Sequence, residues 1–100
     1  MKSGDTSLNQ RESAETLALQ AVSWLATDAA ILGDFLNVTG AELSSLVADL
    51  KKPSFLAAVL DFILTEDQLV LDFASAVGIR PEEVATARAF LPGGDLPHWT

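Results

Sequence analysis

Residues 17–40 read LALQAVSWLATDAAILGDFLNVTG, and residues 55–78 read FLAAVLDFILTEDQLVLDFASAVG. The second stretch matches the first 38 positions later without a gap, so that Asp34-Phe35 returns as Asp72-Phe73. In the first copy the apolar residues recur at i, i+4, i+7 and i+8, which is typical of a helix with one buried face. The pattern therefore predicts two copies of one helical unit.

We predict an all-α fold, a compact bundle of about six short helices built from two three-helix repeats 38 residues apart. The helical domain spans residues 11–92, with repeat one over 11–51 and repeat two over 52–92. Two units are too few for an open solenoid, which favours a closed bundle. We expect residues 1–10 to form a flexible N-terminal arm and residues 93–100 to form a C-terminal tail packed on the bundle.

Capping signals divide each repeat into helices. Thr39 with Glu42, and Thr65 with Gln68, have the spacing of a capping box. The first box predicts a third helix from Gly40 to about Leu50. Its inward residues would be Leu43, Leu46, Val47 and Leu50.

The fourth predicted helix, Pro53–Leu64, is apolar on nearly every side, with Asp61 as its acid. A helix of this kind lies in the middle of a protein. Its longest apolar stretch, Phe55–Leu64, gives about 15 Å of helix, roughly half the thickness of the hydrocarbon core of a bilayer. The sequence thus predicts a buried helix and no membrane span.

The charge balance disfavours two classes of partner. The chain carries six Lys and Arg against 14 Asp and Glu, a formal net charge of −8. Phosphate backbones and anionic membrane surfaces both attract basic side chains, so nucleic acid is an unlikely partner and no membrane binding is expected. The absence of cysteine fits a reducing compartment, and we expect a cytoplasmic protein.

Candidate catalytic residues have simpler structural explanations. His98 is the only histidine, and a lone His lacks the further ligands of a tight metal site. Asp34, Asp61 and Asp72 each precede a core aromatic residue, which places them at the boundary or in solvent, and Asp61 is the one with least other polar surface around it. No phosphate-binding or hydrolase motif occurs. We therefore predict no enzyme activity, no catalytic residue, no cofactor and no metal.

The turn around Gly78 has the spacing of a helix-turn-helix corner. Its second helix opens with Pro81-Glu82-Glu83, and its one helical base is Arg88, which is a poor set for reading DNA. A structural corner is the favoured interpretation. A DNA-linked regulator that uses this corner is the alternative hypothesis.

The two copies differ at places that suggest an interaction surface. Leu71 lies off the apolar face of its helix, whereas its counterpart is Gly33. The tail carries Leu96 and Trp99, and two glycines before them permit a sharp reversal. We take Leu71, Leu96, His98 and Trp99 as the candidate surface. It would bind the bundle itself, a protein partner or a second copy.

Three stretches resemble a known family. They are Glu15–Ala21, Ala57–Phe62 and above all the closing PGGDLPHWT of residues 92–100. They are similar to short bacterial proteins grouped as a domain of unknown function, number 3572. The resemblance covers about residues 15–100 and implies a small, helical, cytoplasmic bacterial protein. It implies no activity, substrate or catalytic residue, so we expect a non-enzymatic helical protein-interaction module or a small homo-oligomer.

Overall fold

The computed structural model describes residues 6–92, with side chains from Asn9 onward. Within this range all regular structure is helical, which confirms the predicted all-α bundle. A single 3₁₀ turn, Leu43–Ser45, precedes the third helix. The α-helices are α1 (Thr6–Leu25), α2 (Ala29–Thr39), α3 (Leu46–Asp49), α4 (Pro53–Leu64), α5 (Asp67–Val77) and α6 (Glu82–Ala89).

Helix α4 is the central element, as its sequence predicts. It packs on α1, α2, α5 and α6. Pro53 stands in its first turn. Amides there have no acceptor within the helix, so the lack of an amide hydrogen in proline breaks no helical hydrogen bond. Half of its twelve residues are buried, namely Leu56, Ala57, Val59, Leu60, Phe62 and Ile63.

Two buried phenylalanines at matching positions of the predicted repeats anchor α2 and α5 to the core. The ring of Phe35 lies edge-on to Phe55 and Phe62, with centroids 5.7 and 5.5 Å away. Phe73 is fully buried and contacts Trp24 at a centroid distance of 5.5 Å. Trp24 is thus a packing residue, because tilted aromatic pairs stabilise cores.

Helix ends agree only in part with the predicted signals. Asp28 caps α2, since its Oδ1 accepts hydrogen bonds from the amides of Ala30 and Ile31 at 3.0 and 3.3 Å. Gly78 ends α5 with a φ of 76°, the left-handed conformation expected of it. Helix α1 begins at Thr6 and not near Arg11, because no proline or glycine interrupts residues 6–10.

Both predicted capping boxes are wrong. The hydroxyl of Thr39 donates to the carbonyl of Phe35 (2.8 Å), and that of Thr65 donates to the carbonyl of Phe62 (2.6 Å). Each threonine therefore bonds back to the helix before it, as hydroxyls near helix ends often do. The Thr39 oxygen also accepts a hydrogen bond from the amide of Ala41 at 3.3 Å, and not from that of Glu42 as a capping box requires. Glu42 makes no capping bond, and Gln68 donates instead to Asp72.

The third predicted helix is also much shorter than expected. Helix α3 has four residues, and only Leu46 and Leu50 of the four predicted inward residues pack against the core. Leu43 and Val47 are exposed, which contradicts the prediction that they face inward. The physical reason is the 3₁₀ turn, which changes the angular spacing of side chains before α3 begins.

The ends of α2 and α5 lie 38 residues apart, as do the left-handed glycines Gly40 and Gly78. The third helices of the two halves differ, however, because α6 packs on both α1 and α4 whereas α3 reaches the core through Leu46 and Leu50. The two-repeat architecture therefore stays a prediction.

Candidate functional site

Three large apolar side chains are exposed at the corner between α2 and α3. Val38 is 70% exposed, Leu43 is 63% exposed and Val47 is 75% exposed. These three residues, which we call the α2–α3 patch, fall within ten positions of the chain. Single exposed apolar residues are ordinary on protein surfaces, but a local group of them marks interaction sites.

The local backbone explains how the patch forms. Gly40 takes a φ of 74° and ends α2, so the chain reverses directly after Val38 and Thr39. The 3₁₀ turn and α3 follow as one short helical stretch. Within it, Leu46 and Leu50 pack on the core, whereas Leu43 and Val47 are exposed.

Acidic residues surround the patch in the sequence. Residues 26–50 contain Asp28, Asp34, Glu42 and Asp49 but no Lys, Arg or His. Asp28 is used as a helix cap, and Asp49 is paired with Lys52 at 3.3 Å. Asp34 and Glu42 are exposed, and none of the ion pairs among the described residues includes either of them. Two carboxylates near the patch are therefore not neutralised within the described chain.

The positions 38 residues later carry small or cyclic side chains. Val38, Leu43 and Val47 correspond to Ala76, Pro81 and Ala85, all three of which are exposed. The second half therefore forms its corner with small or cyclic residues in the same places.

The predicted surface is described only at Leu71. That side chain lies on α5 and is 50% exposed. Leu96, His98 and Trp99 fall in residues 93–100, outside the described residues, so a surface that joins them to Leu71 stays a prediction. At Gly33, the counterpart of Leu71, an added Cβ would meet no atom within 4 Å.

Asp61, the acid singled out from the sequence, joins α4 to α6. Arg88 donates from Nε to Oδ1 of Asp61 at 2.6 Å and from Nη2 to Oδ2 at 3.2 Å. Its Nη1 also donates to the carbonyls of Leu91 and Pro92, at 3.4 and 3.0 Å. Arg88 is therefore occupied within the bundle, and Asp61 has a structural role.

The corner at Gly78 has little basic surface to offer. Arg80 pairs with Glu83 at 3.5 Å, and the Glu83 carboxylate also accepts the Arg80 amide at 3.0 Å. With Arg88 bound to Asp61, both bases of this corner already contact acids. The DNA-reading alternative stays a prediction, and the described contacts give it no support.

A groove of about 640 Å³ runs between α1 and α6. Leu17, Ile79, Ala87 and Phe90 form apolar parts of its wall, and Glu12 and Glu83 stand among its polar residues. Among the described residues, no three His, Cys, Asp or Glu side chains are grouped as metal ligands would be. The groove therefore offers an apolar wall but no evident reactive group.

No helix in the described part of the chain is long and apolar enough to cross a membrane.

Comparison with known proteins gives a family and no activity. No curated protein and no solved structure matches the chain. A family model matches residues 11–94, which include all of the described helices except the first five residues of α1. Because it covers most of the sequence, the chain belongs to the family described as a protein of unknown function, DUF3572.

Proposed function

We propose that this protein is a non-enzymatic helical module that works by binding another protein chain. The observation that carries the proposal is the exposed α2–α3 patch of Val38, Leu43 and Val47. Leu71, exposed on α5, is a second apolar residue that is free for contact within the described chain.

Burial of the patch would supply part of the energy of a specific contact, part of which offsets the cost of association. Burying a Val or Leu side chain completely contributes about 1.5–3 kcal/mol. These three are already partly covered, so burying the remainder would contribute about 1–2 kcal/mol each. A few central side chains of this kind commonly dominate the binding energy of an interface.

A photo-crosslinking amino acid placed at Val47 tests the proposal in the native cell. We expect a discrete covalent adduct with a second protein chain, whose mass distinguishes a different partner from another copy. The matched control places the same amino acid at Ala85, which is exposed at the corresponding position of the second half. No adduct is expected there.

A second substitution makes the result specific to the patch. Leu43→Ser in the Val47 probe protein should abolish the adduct while changing the free energy of unfolding by no more than about 0.5 kcal/mol, because Leu43 is mostly exposed. Adducts that are equally strong at residues 47 and 85, or that survive Leu43→Ser, would remove the patch from the proposal.

A further inference from the structure

The α2–α3 patch combines apolar side chains with unpaired negative charge, and this combination restricts its partner. We infer that the patch binds an amphipathic helix whose apolar face is flanked by Lys or Arg. This inference rests on the proposed function and adds the chemistry of the partner to it.

The exposed apolar side chains of the patch follow one another closely along the chain. Val38 lies on the last turn of α2, and Leu43 and Val47 lie on the short helical stretch that follows, so three exposed apolar side chains fall within ten positions of the chain. A partner helix presents apolar residues at i, i+3, i+4 and i+7, which gives a row of side chains for such a surface. A short exposed patch thus fits one face of a helix better than a broad, flat interface.

Asp34 and Glu42 give the surroundings of the patch a negative charge. Asp34 is one turn before Val38 on α2 and therefore lies next to it on the helix surface, and Glu42 directly precedes Leu43 in the chain. Both are exposed and neither is paired with a described residue. Lys or Arg beside the apolar face of a partner would complement them, whereas acidic residues would be repelled.

The same charges disfavour a second copy of this chain as the occupant. In a two-fold dimer the same patch comes from both subunits. Asp34 and Glu42 of each copy would then be brought near those of the other, and each chain already carries a net charge of −8. Like charges of this kind suppress association.

Binding of a synthetic peptide to the intact protein tests the inference. The probe is a labelled helical peptide of about 15 residues, roughly four turns, with Leu on one face and Lys on the other. One comparison peptide replaces Lys by Glu, and another keeps the composition but scrambles the order. We expect the basic amphipathic peptide to bind at least tenfold more tightly than either, measured by fluorescence anisotropy.

Protein variants locate the binding. Leu43→Ser/Val47→Ser should weaken binding of the basic peptide by about tenfold or more, as expected when central apolar contacts are lost. Leu19→Ser, which replaces an exposed leucine on α1, should leave it unchanged. Asp34→Asn/Glu42→Gln should weaken it severalfold, whereas Asp67→Asn/Glu82→Gln removes the same charge elsewhere and should have little effect.

The outcomes separate this inference from the proposed function. Equal loss of binding in both charge variants would mean general attraction to an acidic protein, and would overturn the inference. Tighter binding of the Glu peptide that still depends on Leu43 and Val47 would also overturn it, while leaving the patch as an interaction site. Self-association that is lost in Leu43→Ser/Val47→Ser would show a second copy as the occupant. If neither peptide binding nor association depends on the patch, the proposed function fails with the inference.

Discussion

The contact between Asp61 and Arg88 should stabilise the bundle by joining α4 to α6. We consider Arg88→Ala and Asp61→Asn, separately and together. Arg88→Ala removes both bonds to the carboxylate and both bonds to the carbonyls of Leu91 and Pro92. Asp61→Asn keeps the shape of the side chain but removes its charge.

The expected magnitudes follow from exposure. The Asp61 side chain is 56% exposed and that of Arg88 is 18% exposed, so solvent screens the pair in part. Exposed ion pairs contribute about 0.2–1 kcal/mol, and the two-pronged geometry here places this pair near the upper end. Asp61→Asn should therefore cost about 0.5–1 kcal/mol. Arg88→Ala also loses the carbonyl bonds and the packing of its stem, and should cost about 2–3 kcal/mol.

Thermal unfolding followed by circular dichroism measures these differences. One kcal/mol corresponds to about 4–8 °C in a domain of this size, so Arg88→Ala should lower the Tm by roughly 10–20 °C. The double variant should be less destabilised than the sum of the single variants by about 0.5–1 kcal/mol, since both remove the same pair. The control is Arg80→Ala, whose side chain is 75% exposed and whose ion pair lies within one turn, with an expected cost below about 0.5 kcal/mol. If Arg88→Ala costs no more than Arg80→Ala, or if the single effects simply add, the contact does not join α4 to α6 energetically.

Three further predictions concern single positions, each measured by thermal unfolding. Asp28→Ala should cost about 1 kcal/mol because it removes the acceptor that caps α2, and an unchanged Tm would contradict that role. Gly33→Ala should stabilise by about 0.5–1 kcal/mol, because Gly33 is helical and its added Cβ meets nothing within 4 Å, whereas Gly40→Ala should destabilise by about 1–2 kcal/mol because of its φ of 74°. The same sign for both glycines would refute this reasoning. Trp99→Ala should cost about 3 kcal/mol if the tail packs on the bundle as the sequence predicts, and a Tm within one degree of the parent protein would contradict tail packing.

Much of the fold follows from residue periodicity and from residues with restricted backbones. The nearly all-apolar character of Pro53–Leu64 identified the central helix, and the glycine at position 78 identified the end of α5. These signals are reliable because a helix that is apolar on nearly every side has to be buried, and because a positive φ is rarely adopted by residues other than glycine. Helix-start signals were weaker, since a threonine hydroxyl can bond either forward to an amide or back to a carbonyl.

The α2–α3 patch could not be predicted in the same way. Leu43 and Val47 have the spacing of core residues, and the sequence does not show that a 3₁₀ turn precedes a helix of only four residues. Which side of so short a helix is buried depends on the packing of distant elements. The Asp61–Arg88 contact was beyond prediction for the same reason, because its residues are 27 positions apart and belong to different helices.

The net charge and the patch have to be considered together. An exposed group of Val38, Leu43 and Val47 would promote self-association in a protein of low net charge. A net charge of −8 opposes the approach of two copies of this chain, so we expect the patch to stay exposed without causing aggregation. We propose that the same acids attract a partner that carries Lys or Arg beside its apolar face. Lowering the net charge at sites far from the patch, for example by Asp67→Asn/Glu82→Gln, should therefore increase self-association without weakening the binding of a basic helix. Analytical ultracentrifugation together with the peptide assay would measure the two effects separately.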